Sequence, residues 1–120
     1  MSIRNALAGI AVRDLEASIN WYARLLGRAP DSRPMDGLAE WEFPSGGWIQ
    51  VFQDRARAGS SSVTLADDDV GSRIADLLSK GIPIESKSEG PAVSLATITD
   101  LDGNRIVFAE GRDTDHGSTR

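Results

Sequence analysis

The sequence contains no cysteine and a single histidine, His116. Without cysteine, the chain has no disulfide framework, no thiolate metal site and no cysteine nucleophile. Ser-His-Asp catalysis needs an imidazole fixed beside a serine hydroxyl, and His116 lies in a polar C-terminal segment where we predict a plain exposed residue. The residue types that most often carry catalysis and bind transition metals are therefore scarce.

The sequence also lacks an apolar run of the length that spans a membrane or forms a secretory signal core. Its 18 acidic residues outnumber its 13 basic residues and give a formal net charge of −5. An acidic chain disfavours binding to nucleic-acid backbones and to anionic membranes. Neither glycine-rich pattern of nucleotide-binding loops, GxGxxG or GxxxxGK[ST], occurs. We expect a cytoplasmic protein with no nucleic-acid or membrane partner.

The apolar pattern of the chain repeats once. A predicted strand over 6–13 leads to Asp14, a favourable helix N-cap, and then to apolar residues at helical spacing that end at Gly27. A second strand over 61–67 leads in the same way to Asp69 and to a helix that ends at Gly81. Extended segments follow each helix, at roughly 28–34, 38–43 and 47–53 and at roughly 82–87, 93–99 and 105–110. This repeat predicts an α+β fold of two βαβββ modules.

The module boundaries follow from the same pattern. We predict modules over about 5–53 and 60–110 within a single domain, 1–110, and a flexible tail over 111–120, which has no apolar anchor. The linker over 54–59 contains Arg55 and Arg57. Two nearby arginines are compatible with a phosphate site, but a solvated linker explains them better. Turn-forming residues at 44–47 and 100–104 predict hairpins.

Two segments resemble motifs of one family, the glyoxalase/bleomycin-resistance/dioxygenase superfamily, which has the vicinal oxygen chelate fold. AGIAVRDLEASINWYARLLG is similar to its first strand and helix, and DLDGNRIVFAE is similar to its closing hairpin. Leu101 stands where the family usually has proline, which changes the stiffness of the turn rather than its chemistry. The resemblance spans residues 5–110. It implies curved mixed sheets that form a barrel-like cleft, helices outside, and a ligand inside the cleft.

The resemblance also allows a test for a metal. Metal-using members place ligands on the first and last strands of each module, and those positions correspond here to Leu7, Gln50, Ser62 and Val107. Of these, Gln50 alone offers a suitable oxygen, whereas a transition metal needs about three or four protein donors. We therefore expect no metal and no cofactor, and a binding protein rather than an enzyme. The alternative is a metal-dependent lyase, isomerase or dioxygenase that uses atypical donors such as Gln50, Glu40 or Glu42.

Two acidic groups give weaker signals. The run Asp67-Asp68-Asp69 suits a hard cation, but an acidic helix start explains it better, because the spaced oxygens of a calcium loop do not follow. Glu40 and Glu42 share one face of a strand, which we predict to be a partly solvated face opposite Ile49 and Val51. Acid-base catalysis without a metal ranks lowest, because no inward carboxylate with a partner is evident.

The strongest candidate for a binding surface is aromatic. If the loop is Pro44 to Gly47, Phe43 pairs with Trp48 and Trp41 pairs with Gln50, so that these side chains and Phe52 share one face. Such a surface stacks on a flat or cationic compound while the amide binds it. Aromatic side chains that only fill the cleft or a subunit interface explain the pattern almost equally well.

The second module contributes to the same predicted cleft. Ser62 and Thr64 are expected to add hydroxyl groups, and Leu7 and Val107 an apolar floor. The predicted ligand-binding residues are Leu7, Trp41, Trp48, Gln50, Phe52, Ser62, Thr64 and Val107. By analogy with metal-free antibiotic-sequestering members, we predict a homodimer that binds an aromatic or cationic small molecule. Whether modules pair within a chain or between subunits stays open.

Overall fold

The order of helices and strands repeats along the chain in a computed structural model, which describes residues 2–111. The first module contains β1 (Leu7–Val12), α1 (Leu15–Leu26), β2 (Ser32–Met35), β3 (Leu38–Glu42) and β4 (Trp48–Gln53). The second contains β5 (Ser62–Ala66), α2 (Val70–Ser79), β6 (Ser86–Glu89), β7 (Val93–Thr99) and β8 (Arg105–Gly111). The predicted α+β class and the duplicated βαβββ order are confirmed.

The structure describes only part of the predicted C-terminal tail. The tail predicted over 111–120, with His116, lies outside the described residues except for Gly111, which is the last residue of β8. Neither helix in the described part of the chain is long and apolar enough to cross a membrane.

Arg55 and Arg57 are exposed in the linker, in accordance with a solvated connection.

Each helix begins at the aspartate that was predicted to cap it. The Asp14 carboxylate accepts a hydrogen bond of 3.2 Å from a backbone N–H in the first turn of α1. Asp69 accepts one of 3.0 Å from the Ser72 N–H, and this bond lowers the pKa of Asp69. Gly27 ends α1 in the left-handed conformation at φ 79°, and Gly81 takes φ 76° directly after the C-cap of α2. The acidic run 67–69 therefore serves, through Asp69, as a helix start.

The duplication extends to a second capping contact. Leu15, the first residue of α1, donates its N–H to Gln53 Oε1 at 3.0 Å, and Val70, the first residue of α2, donates to Glu110 Oε1 at 3.0 Å. Both acceptors lie on the last strand of their module. Side chains of β4 and β8 thus satisfy backbone groups that each helix leaves unpaired.

The strands form two open four-stranded sheets, in the orders β1-β4-β3-β2 and β5-β8-β7-β6. In each sheet the first and last strands of the module pair in parallel, and the other pairs are antiparallel. The short strands β2 and β6 begin later than predicted. After α1 the chain first forms a loop, in which the Asp31 carboxylate accepts hydrogen bonds from the Glu42 N–H and Arg28, and both lower its pKa.

One face of each sheet packs against the helices in a shared hydrophobic cluster, and we call the opposite face the open face. The cluster contains residues of both modules. Its largest fully buried side chains are Trp41, Tyr22, Ile10, Leu25, Ile49, Leu77, Ile98 and Ile106. Because the two modules share this cluster, disruption of either one exposes apolar surface of the other.

The loop between β7 and β8 ties the modules together through buried polar groups. Asn104 is fully buried, and its Nδ2 donates to the Ala11 carbonyl at 2.8 Å and to Asp100 at 2.9 Å. Its Oδ1 accepts from the Ser61 N–H at 2.8 Å. Asp100 also accepts a 2.7 Å bond from the Tyr22 hydroxyl. In this chain the DLDGN segment therefore pins the second module to the first.

The linker packs against the same loop. Gly59 has φ 93°, and a Cβ at this position would lie 2.6 Å from the Asp102 carbonyl oxygen. Glycine is the residue that accepts both this conformation and this close approach. Asp102 in turn accepts a hydrogen bond from the Arg13 N–H at 3.2 Å, so the loop contacts both sides of the module boundary.

Tyr22 is the single tyrosine in the sequence, so its ionisation is directly observable. Burial, and then the charge of Asp100, raise its pKa well above the ordinary value of 10.0. Because the folded pKa exceeds the unfolded one, this contribution to stability is present below pH 10 and is lost as the pH rises above it. We expect tyrosinate absorbance to appear only together with alkaline unfolding, as followed by circular dichroism. A tyrosinate signal in the still folded protein would contradict this, and Tyr22→Phe gives the baseline.

Candidate ligand-binding site

The register of the β3–β4 hairpin decides which aromatic side chains share a face. Phe43 donates its N–H to the Gly47 carbonyl at 2.7 Å, and Gly46 donates to the Phe43 carbonyl at 2.8 Å. Gly46 has φ 105°, and three-residue hairpin loops commonly contain one residue with such a positive φ, which glycine adopts readily. The loop is therefore Pro44 to Gly46, and Phe43 lies opposite Gly47. The predicted pairing of Phe43 with Trp48 is wrong by one residue, and this shift moves every side chain of β3 to the other face.

Trp41 consequently belongs to the core and not to the predicted aromatic surface. It pairs with Ile49, not with Gln50, and it is completely buried. Its Nε1 donates to the Arg28 carbonyl at 3.0 Å, and its ring lies 6.1 Å from that of Tyr22. A buried indole with a satisfied N–H is a packing element. The placement of Trp41 beside Gln50 is corrected accordingly.

The open face of the first sheet brings together four other predicted residues. Trp48, Gln50 and Phe52 alternate along β4, and Leu7 lies beside Trp48 on β1. The three β4 side chains are half-buried, and Leu7 is 45% exposed. Leu38 lies opposite Phe52 on β3. These residues form an accessible apolar surface with one amide at its centre.

The carboxylates of Glu40 and Glu42 lie on this same face, whereas the sequence prediction placed them on the opposite face of the sheet. Glu40 pairs with Gln50 and Glu42 pairs with Trp48, so the expectation that they lie opposite Ile49 and Val51 is wrong. Gln50 Nε2 donates to Glu40 Oε2 at 2.5 Å. A carboxylate held by the amide, next to an indole, is a set of groups that binds a cation through charge and through the π-face.

Gly9 shapes the surface beside Gln50. It lies next to Gln50 on β1, and a Cβ on it would lie 3.2 Å from Cε1 of the Phe52 ring. The Phe52 ring thus lies across β1 where no side chain projects. Glycine inside a strand commonly marks such a close approach, so Gly9 is a signal from which the sequence analysis could have predicted this contact, although it did not.

The second module groups the remaining predicted residues on its own sheet. Thr64 lies beside Val107, and Val107 lies beside Thr97. Ser62 and Thr64 are exposed, and Val107 is half-buried. Leu7, Trp48 and Thr64 also meet at a cavity of about 750 Å³ between the modules. The structure thus brings together two sets of predicted residues, one on each sheet.

The family's metal positions do not offer a suitable donor set. Leu7 and Val107 carry no donor atom, Ser62 carries a neutral hydroxyl, and the Gln50 amide is bonded to Glu40. Among residues 2–111, no group of three or more histidine, cysteine, aspartate or glutamate side chains is placed to hold a metal. A site for a transition-metal ion of the family's type does not fit these residues.

The sequence and the fold are both similar to known proteins. The family model described as Glyoxalase/Bleomycin resistance protein/Dioxygenase superfamily matches residues 5–108. No curated protein matches the chain. A solved structure of a glyoxalase/bleomycin resistance protein from Catenulispora acidiphila is similar, with a TM-score of 0.82 and 28% identity, over 90% of this chain and 98% of that chain.

Two further solved structures share the fold at lower identity. TnmS3, an antibiotic binding protein from a Streptomyces species, has a TM-score of 0.80 and 21% identity, over 93% of this chain and 99% of that chain. A bleomycin resistance determinant encoded on the transposon Tn5 has a TM-score of 0.76 and 20% identity, over 92% and 99% of the two chains. At these identities the likeness concerns the fold.

Proposed function

Because this chain belongs to the Glyoxalase/Bleomycin resistance protein/Dioxygenase superfamily, we propose that it sequesters a small aromatic or cationic molecule on the open face of its first sheet, without a metal. The observation that carries the proposal is the Glu40–Gln50 pair at 2.5 Å beside Trp48. The residues at the family's metal positions support binding rather than metal-dependent catalysis. Sequestration needs shape, stacking and charge, and no catalytic group.

The chemistry of the open face favours a cation with a flat body. Trp48 and Phe52 offer π-faces, and a cation over an indole contributes about 0.5–2 kcal/mol, depending on desolvation. Glu40 offers a carboxylate whose position is fixed by Gln50, so a charge-assisted bond forms with little loss of side-chain entropy. The Streptomyces and Tn5 proteins of the same fold bind an antibiotic or determine bleomycin resistance, which makes an antibiotic a reasonable first ligand class.

A second copy of the chain would complete such a site. The open faces of both sheets carry half-buried apolar side chains, Trp48 and Phe52 on one and Val107 on the other, and neither face packs against a helix within residues 2–111. In the homodimer that we propose, the open face of one subunit's second sheet covers the first sheet of the other. Ser62 and Thr64 then add hydroxyls to the cleft. The cytoplasmic location expected from the sequence stays a prediction.

Intrinsic fluorescence tests the proposal. We expect a panel of cationic aromatic antibiotics and metabolites to contain a compound that gives a saturable change in emission, which Trp48→Phe abolishes. Glu40→Gln should lower the affinity for that cation about tenfold, because one charge-assisted hydrogen bond is lost. Its matched control is Glu89→Gln, which changes an exposed glutamate on β6 and should leave the affinity unchanged.

Two outcomes would contradict this function. One is the lack of any saturable change across the panel. The other is a stoichiometric metal in the purified protein, together with a turnover that chelation removes, which would support the enzyme that uses Gln50, Glu40 and Glu42 as donors. Sedimentation of the protein at several concentrations tests the homodimer separately, because a monomer with an intact fluorescence response would refute the dimer and retain the binding function.

A further inference from the structure

The two sheets meet along β1 and β5, and this seam is closed at one end and open at the other. At the closed end, Ala11 donates its N–H to Ser61 Oγ at 3.1 Å, and Asn104 fills the space beside them. At the open end, residues 6–8 of the first module and 63–68 of the second line the cavity of about 750 Å³. We call this cavity the seam pocket. Its volume lies within the range of small-molecule sites.

The pocket exists because the two hairpin loops of the duplicated fold differ. In the second module the loop 100–104 provides Asp100 and Asn104, whose side chains fill the closed end with hydrogen-bonded groups. In the first module, Pro44 and Ser45 of the corresponding loop and Gly47 directly after it line the seam pocket, but none of them has a side chain long enough to fill it. Of the two equivalent positions that the duplication creates, one is therefore filled by the side chains of Asp100 and Asn104, and the other is left open by the residues that the structure describes.

The seam pocket is distinct from the open face of the first sheet. Its floor is formed by Ile49, Val63 and Phe108, which belong to the buried core on the helix side of the sheets. Gln50 and Phe52 do not contribute to its lining. Leu7, Trp48 and Thr64 lie at the margin between the two surfaces. A ligand in the pocket would contact both modules, whereas a ligand on the open face of the first sheet would contact one module of that chain.

The lining of the pocket is mostly apolar, and its two arginine side chains already form ion pairs. Arg73 pairs with Asp67 at 2.7 Å and lies 5.3 Å from the centroid of the Phe108 ring. Arg28 pairs with Asp31 at 2.6 Å. Asp68, at the rim, is exposed and forms no ion pair within residues 2–111. The unpaired formal charge at the pocket is therefore negative.

An anion finds little to bind at this rim, although α2 begins next to it. Asp69 already accepts from the Ser72 N–H, and the Val70 N–H donates to Glu110. These two acidic side chains occupy the helix start that would otherwise attract an anion. We propose that the seam pocket is a second binding site, which takes a molecule with an apolar aromatic body and a single cationic group placed near Asp68.

Three probes with the same naphthalene body test this site: 2-naphthylmethylammonium, 2-naphthylmethanol and 2-naphthoate. Amide NMR titration should show saturable shifts at Ala6, Ala8, Leu65 and Asp68, with affinity in the order ammonium, alcohol, carboxylate. Asp68→Asn should lower the affinity of the ammonium about threefold, as expected for an exposed ion pair, and leave the alcohol unchanged. Asp36→Asn changes another exposed carboxylate and is the matched control.

Filling the pocket gives an independent test. Ala8→Leu should weaken all three probes about tenfold or more, since the added carbons occupy the space of the naphthalene ring. Ala6→Leu at the exposed rim provides the same test if Ala8→Leu fails to fold. Gln50→Ala should leave the seam-pocket affinities unchanged.

The outcomes separate this inference from the proposed function. Shifts confined to the residues around Glu40 and Gln50 would overturn the seam pocket and leave the proposed function intact. The seam-pocket inference is also overturned if 2-naphthoate binds the pocket most tightly. It is overturned as well if no probe, raised to the limit of its own solubility, shifts the amide signals of the pocket residues. Seam-pocket binding that survives in Glu40→Gln, with no ligand found for the open face, would support this site and count against the proposed function.

Discussion

Replacement of Asn104 by alanine should lower the free energy of unfolding by about 3 kcal/mol or more. Asn104 is fully buried, and its removal takes away the hydrogen-bond partner that it provides to the Ala11 carbonyl and to the Ser61 N–H. Each unsatisfied buried group costs about 1–3 kcal/mol. The loss should appear in urea unfolding as a lower midpoint with an unchanged slope.

Asn5→Ala is the matched control for this experiment. Asn5 is exposed, although its amide donates to the Gly46 carbonyl, so its loss should change stability by less than about 0.5 kcal/mol. Tyr22→Phe removes one donor to Asp100 and should fall between the two variants. A stability of Asn104→Ala equal to that of Asn5→Ala would show that the 100–104 loop does not hold the modules together.

The elements of this fold were predictable because each depends on short stretches of sequence. Asp14 and Asp69 mark the helix starts, and each N-cap contact is made within one turn. The role of the DLDGN segment was not predictable in the same way. Asn104 contacts Ala11 and Ser61, which are far away in sequence, and no local pattern indicates which backbone groups a buried amide satisfies. The seam pocket is likewise a property of two loops in their tertiary positions.

The candidate site was predicted in part, and one residue in a loop decided the rest. The alternation of β4 placed Trp48, Gln50 and Phe52 on one face in either register, so this group is present in the structure. The register itself depends on whether the closing pair is Phe43 with Gly47 or with Trp48. The positive φ of Gly46 allows the three-residue loop in which Phe43 pairs with Gly47. The prediction grouped Trp41 with the other aromatics, whereas Ile49 and Val51 mark the buried face to which it belongs.

Replacement by alanine should therefore lower the stability of the protein much more at Trp41 than at Trp48. Trp41→Ala should lower the free energy of unfolding by about 3–5 kcal/mol, because it leaves a large cavity in the core and removes the donor to the Arg28 carbonyl. Trp48 is half-buried on the open face, and Trp48→Ala should cost less than about 1 kcal/mol. Denaturant unfolding of both variants, followed by circular dichroism, gives the comparison without dependence on tryptophan emission.

Ligand binding should show the reverse order. At a temperature where both variants are folded, Trp48→Ala should lose most of the affinity for the cationic aromatic ligand, since the stacking surface beside Glu40 is gone. Trp41→Ala should retain it within about threefold, because the indole of Trp41 lies on the opposite side of the sheet. Equal losses of stability in the two variants would refute the observed register. An affinity that depends on Trp41 and not on Trp48 would place the ligand on the helix side of the sheet, away from the Glu40–Gln50 pair.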